Sequence, residues 1–214
     1  MNTCAEVCVM QIRQLSFAYP GQPALVSNWS VSLPPGVTLV HGDTGCGKTT
    51  LLRLFAGVQP ANSGDLLLAG ICLGESPLAY AREVYFVEPW TEAFDQVSAR
   101  AYAASLQADD ARFDSALWQL LVDGFSLAAH IDKPLYMLST GSKRKVWLAA
   151  GLASGRRLVL LDEPTGALDL PSTRCLWQAL DQVVARGCSA VVLASAARVD
   201  EVALASTIDL PLVA

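Results

Sequence analysis

Eight consecutive residues constrain this chain more than any others: Gly42-Asp-Thr-Gly-Cys-Gly-Lys-Thr49. They satisfy the P-loop pattern of glycine, four residues, then Gly-Lys-Ser/Thr. Such a loop needs a strand to deliver it and a helix to leave it. Val37-Thr-Leu-Val-His41 reads as a short buried strand, and Lys48 to Ala56 carries Leu51, Leu52, Leu54 and Phe55 on one helical face. Glycine at these positions lets backbone N–H groups turn inward as a concave anion nest, which side chains would obstruct. The helix adds its unpaired N–H groups and the positive end of its dipole. Lys48 is placed to reach β- and γ-phosphates, and Thr49 to put its hydroxyl on Mg²⁺. The segment Gly42, Asp43, Thr44, Gly45, Cys46, Gly47, Lys48, Thr49 and Thr50 is therefore expected to bind a nucleoside triphosphate, and by itself implies no more than that.

A second motif completes the first. Leu158-Val-Leu-Leu-Asp-Glu163 ends a buried apolar run in two carboxylates. An aspartate at such a strand end, beside a P-loop, suits a second Mg²⁺ contact, which assigns Thr49 and Asp162 to the metal. Glu163 is the candidate to orient or deprotonate the attacking water, a role worth about 10²–10⁴ in rate. Lys48 and Glu163 are thus the candidate catalytic residues.

The rest of the chain reads as strands alternating with helices around a helical insert. Val7–Tyr19 partly alternates, Trp29–Leu33 is a second extended run, and Leu158–Asp162 and Ala190–Ala194 are short buried strands. Between about Trp90 and Ala150 the chain turns rich in alanine and leucine, and residues 97–106 and 111–122 read as helices. Pro171 to Arg186 reads as a helix opened by proline and closed by Gly187. This pattern predicts an α/β domain with a mostly parallel sheet. The expected organisation is one domain over 1–214, with 1–89 and 151–214 as core and 90–150 as a helical subdomain.

Composition excludes other classes. A net charge of −5 in 214 residues, with lysine and arginine clustered only at Lys143, Arg144 and Lys145, is wrong for a nucleic-acid binder. No apolar run approaches the roughly 20 residues of a membrane-spanning helix, and Met1–Met10 lacks the pattern of a secretory signal. The 52% hydrophobic content exceeds ordinary core needs. Either an alanine- and leucine-rich composition or a docking surface accounts for it. The six cysteines are expected as free thiols, because Cys4 and Cys8 lack a second pair or histidine to complete a metal site.

Further marks carry a family resemblance. Leu138-Ser-Thr-Gly-Ser142 opens a predicted helix ahead of the Asp162 strand. With Phe17-Ala-Tyr-Pro20, Asn62–Gly70 and Thr165-Gly-Ala-Leu-Asp169 in this order, nearly the whole chain resembles the nucleotide-binding subunit of ABC transporters. The resemblance implies a P-loop NTPase core with a mostly parallel sheet, an antiparallel β subdomain and an inserted α-helical subdomain. It implies that Tyr19 stacks on adenine and that Ser139 and Gly141, at a helix N-terminus, cap ATP bound to the opposite subunit. It implies ATP and Mg²⁺ as ligands, membrane-spanning transporter subunits as partners, and a homodimer or heterodimer with another nucleotide-binding subunit. Location is then cytoplasmic, peripheral on the inner face of the cell membrane, and no nucleic acid is involved.

Three departures from the family pattern bear on activity. Thr140 and Ser142 replace a glycine and a glutamine of the signature; Glu88 or Pro89 stands at the position of a glutamine; and Ala196 stands at that of a histidine. A β-branched Thr140 would reshape the loop if a positive φ were required there. Two readings follow: a slow or partner-dependent ATPase centred on Glu163, or an ATP-gated, weakly or non-hydrolysing interaction subunit. Cys46, inside the anion nest, is either a nucleotide-protected thiol or a side chain turned away. Trp118, Trp147 and Trp177 are expected in the core, while Trp90 is either core or part of a partner-docking join.

Overall fold

The inner strands of the central sheet are apolar almost throughout, which is the signature of a sheet covered on both faces. The computed structural model describes residues 8–88 and 90–212. Its five-stranded sheet has the order β6(Val84–Phe86), β7(Leu158–Asp162), β8(Ala190–Ser195), β3(Gly36–His41) and β9(Leu204–Asp209). All four pairings are parallel. Alternate residues feed two cores. Val159, Leu161, Val191 and Leu193 pack on one face, and Leu158, Leu160, Ala190 and Val192 on the other.

The second face is covered by α1(Lys48–Phe55) and by an antiparallel sheet of order β2(Val26–Leu33), β1(Met10–Phe17), β4(Ser63–Leu68), β5(Ile71–Cys72). The imperfect alternation at the start of the chain has a structural cause. In β1 the buried residues are Met10 and Ile12, then Leu15 and Phe17. The register shifts between Ile12 and Leu15, where Gln14 adopts φ 49. One bulge residue thus moves the apolar period from even to odd positions. Val7, read as part of this run, lies outside the described residues.

The first face carries the helices α3(Ala99–Asp109), α4(Ser115–Gly124), α5(Thr140–Ala153) and α6(Leu170–Ala185); α2(Pro77–Arg82) packs Tyr80 into the other core. Side chains cap the first turns of the four large helices: Ser98, Asp114, Ser139 and Asp169 each accept a backbone N–H. This is the usual way to satisfy orphan donors. The tryptophans divide as expected, with Trp118, Trp147 and Trp177 buried, but Trp90 is 78% exposed. Among the described residues no helix is long and apolar enough to cross a membrane.

Candidate nucleotide-binding site

Unlike its larger neighbours, α1 has no side-chain cap. Its N-cap is Gly47 at φ 103, and no side chain accepts from its first turn. The orphan N–H groups are therefore available to an anion. Two glycines of the loop before it have close neighbours. A Cβ at Gly47 would stand 2.3 Å from Leu25 Cδ1, and one at Gly42 would stand 2.8 Å from the Leu210 carbonyl. Glycine is thus required at 42 by a backbone contact and at 47 by left-handed backbone.

Strand ends bring the acidic partners to this loop. A cavity of about 540 Å³ is lined by Thr44, Gly45, Gly47, Lys48, Thr49 and Thr50 from the P-loop side, and by Asp162, Glu163 and Ala196 from β7 and β8. Thr49 Oγ1 donates to Asp162 Oδ2 at 2.6 Å. The Lys48 side chain is buried and folds back, donating from Nζ to the carbonyls of Gly42 at 2.7 Å and Asp43 at 3.1 Å. Its Nζ also lies 3.4 Å from Glu163 Oε1, which accepts the Ala196 backbone N–H at 3.0 Å. Burial pushes the Asp162 carboxyl above its ordinary range, opposed by the Thr49 hydrogen bond and reinforced by the charge of Glu163.

These residues fit MgATP. The uncapped helix and glycine loop form a phosphate cradle, and the paired Thr49 and Asp162 oxygens are the hard donors Mg²⁺ favours. Tyr19 sits beside the cavity rather than in its lining. It meets Phe17 edge-on at 4.9 Å, and its hydroxyl is 3.3 Å from Thr50 Oγ1. Gly42, Asp43 and Cys46 also lie outside that lining, with Gly42 and Asp43 facing Lys48 through their carbonyls.

Ser139 and Gly141 are not brought into this cavity. Ser139 caps α5, accepting from Ser142 N at 3.1 Å. Thr140 is the first residue of that helix and has no positive φ, so the β-branched side chain causes no backbone strain. A loop distortion is therefore not needed.

Other residues sit differently from a sequence reading. Glu88 does not enter the cavity; its Oε1 accepts from Arg53 Nε at 2.7 Å. Pro89 lies outside the described residues. Cys46 packs against the apolar core beneath the loop, which favours the turned-away reading. The described cysteines are free thiols, Cys4 lying outside the described residues, and no metal-ligating cluster occurs among the described residues. His41 is hydrogen-bonded to Asp209 at 3.1 Å. Two lining residues have no motif to announce them: Trp90 and Arg144. Their signals in the sequence were an aromatic at the edge of the helical insert and one member of a basic run.

A P-loop at the carboxyl end of a parallel sheet, with an Asp-Glu strand end beside it, defines an α/β P-loop nucleotide-binding protein. The family model described as ABC transporter matches residues 26–166. The chain belongs to that family, as an ATP-binding subunit. It is 37% identical over 165 residues to the taurine import ATP-binding protein TauB of Shigella dysenteriae, a match covering 75% of this chain and 63% of that protein. It is 33% identical over 172 residues to the spermidine/putrescine import ATP-binding protein PotA of Spiroplasma citri, covering 77% of this chain and 48% of that one. Thus it spans less than two thirds of the length of either relative. In fold it is similar to a solved ATP-binding subunit of an ABC transporter, with a TM-score of 0.75 at 18% identity, covering 87% of this chain and 79% of the other.

Proposed function

We propose that this chain hydrolyses MgATP in the cavity between the P-loop and the ends of β7 and β8, and that hydrolysis drives transport through partner membrane subunits. The observation that carries this reading is the position of Glu163. One carboxylate oxygen is fixed by the Ala196 N–H, and the residue lines the cavity that the P-loop opens into. Its second oxygen remains to take a proton from water, a general-base role.

In this reading the orphan N–H groups of α1 and the loop amides hold the phosphates. Lys48 exchanges its contacts with the Gly42 and Asp43 carbonyls for phosphate oxygens, which also draws its charge away from Glu163. Thr49 and Asp162 would hold Mg²⁺, which when bound would offset phosphate charge. Tyr19 receives the adenine at the Thr50 edge. Ser139 and Gly141, outside the chain's own cavity, serve the nucleotide of a second nucleotide-binding subunit, with the chain peripheral on the cytoplasmic face of the membrane. Specificity for the transported solute then resides in the membrane partners.

A second reading, an ATP-gated subunit with little hydrolysis, is favoured by Ala196. A methyl group at the cavity wall can neither donate to nor accept from a γ-phosphate. The test is steady-state ATPase activity of the chain assembled with its membrane partners, with Glu163→Gln as control. Turnover strongly reduced by Glu163→Gln supports the first reading. Nucleotide binding with equal, negligible turnover in both proteins supports the second.

A further inference from the structure

Helix α5 is joined to the segment that carries Glu163 by three successive contacts. At its first turn, Gly141 approaches the Ala167 carbonyl so closely that a Cβ would stand 2.9 Å from it. One turn on, Arg144 Nη1 donates to the carbonyl of Glu163 at 2.9 Å and to that of Gly166 at 2.8 Å. Beside it, Lys145 Nζ donates to Asp169 Oδ2 at 2.7 Å. The neighbouring Lys143 turns the other way, to Asp95, as the 100° advance per helical residue requires.

The middle contact differs from the others. Lys143 and Lys145 each have a carboxylate partner, whereas Arg144 makes no ion pair among the described residues. An Nη atom carries two hydrogens, and here both contacts are to main-chain carbonyls. Uncommon backbone flanks those two carbonyls. Glu163 adopts φ 45 and Ala167 φ 60, conformations that non-glycine residues seldom hold unaided. The Gly166 N–H returns to the Glu163 carbonyl at 3.0 Å, closing the turn that Arg144 grips. Position 166 must be glycine for that grip, since a Cβ there would lie 2.2 Å from Arg144 Nη1. Arg144 also lines the nucleotide cavity and stands close enough to favour ionisation of Asp162.

We propose that Arg144 is the positioning residue for Glu163: its guanidinium locks the turn at 163–166, which opens in left-handed backbone at Glu163, and so fixes the carboxylate against the cavity. The proposal rests on the hydrolytic reading for its kinetic consequence, but the lock itself is a property of the chain. The lock also makes the position of α5, and hence of Ser139 and Gly141 at its start, a determinant of where Glu163 stands.

The experiment compares wild type with Arg144→Gln, Arg144→Lys and Gly166→Ala in the assembled complex. Arg144→Gln should lower kcat by about tenfold to a hundredfold, as a misplacement of about 1 Å does, while KM for ATP stays within about twofold, since uniform binding is untouched. Arg144→Lys, with rotatable donors that can still reach one carbonyl, should recover part of the rate. Gly166→Ala should reproduce the Arg144→Gln defect. Adding Arg144→Gln to Glu163→Gln should slow the enzyme no further, because both act through one group.

Hydrogen exchange separates this from the functional reading. The amides of Gly166 and Leu168 should exchange faster in Arg144→Gln, with those of α1 unchanged. Faster exchange with a wild type that turns over no ATP sinks the hydrolytic reading and leaves the lock standing. Unchanged exchange overturns the lock. So does an Arg144→Gln kcat within about twofold of wild type in an active complex, or a slowing that adds fully to that of Glu163→Gln.

Discussion

Arg53 Nε donates to Glu88 Oε1 at 2.7 Å, tying the segment that leaves β6 to the helix that follows the P-loop. The same guanidinium lies close enough to Tyr19 for both side chains to hold it charged, Glu88 foremost. The two partners are 37% and 44% exposed. Glu88→Gln should therefore cost only about 0.2–1 kcal/mol of stability, as exposed pairs do. It should not raise ATPase activity alone, because the new amide oxygen still faces Arg53. Urea melts and steady-state rates check both statements; a clear gain in turnover would show that residue 88 already reaches the cavity.

Ala196 offers the more direct gain. Its backbone N–H already orients Glu163, and its side chain meets the cavity. Ala196→His adds a donor without disturbing that N–H and should raise kcat by about tenfold or more, if charge on the γ-phosphate is undersupported in the wild type. The readout is kcat in the assembled complex. An unchanged rate would mean that another group supplies this contact.

Lys48→Ala should weaken MgATP binding by about 10- to 150-fold, corresponding to a charge-assisted contact of about 1.5–3 kcal/mol. Calorimetric titration measures it. Equal affinity in the two proteins would remove the phosphate role assigned to the loop.

Asp162 sets stability against binding. Burial holds its folded-state pKa above the ordinary carboxylate range. Between the ordinary value, about 3.9, and the raised one, the native state binds more protons than the unfolded chain. Stability therefore falls as pH rises through that window. Asp162→Asn should raise the Tm of the nucleotide-free protein at neutral pH, an advantage that disappears at acid pH, and should weaken MgATP binding. Thermal melts from acid to neutral pH and calorimetry give the two signs. A lower Tm at neutral pH would show that the ionised carboxylate is a net stabiliser.

Cys46 packs with the core beneath the loop. Cys46→Ala should leave MgATP affinity within about twofold, as expected for a small, partly buried hydrophobe, and maleimide labelling of Cys46 should be insensitive to MgATP. Strong protection by nucleotide would place the thiol in the phosphate nest instead.

What could be read from the residues alone follows from how local each constraint is. The P-loop is legible because backbone access to phosphate demands glycine at set spacing, and Asp162 is legible because a carboxylate ends an apolar run. Arg144 is not, because its partners are main-chain carbonyls, which every residue has. Glu88 is turned aside by Arg53, a residue on another element, and Cys46 is oriented by the curl of the loop. The strand at Met10–Phe17 looked irregular because one bulge switches its period, and no single residue type marks a bulge.

The two-sided packing of the parallel sheet gives β7 a parity. Leu158 and Leu160 belong to one core and Val159 and Leu161 to the other, so Asp162 falls on the side of Thr49 by even count. Inserting or deleting one residue in this strand would exchange both sets of side chains and turn the carboxylate to the opposite layer. Length variants of such a chain must therefore arise in its connections, or in β7 by steps of two.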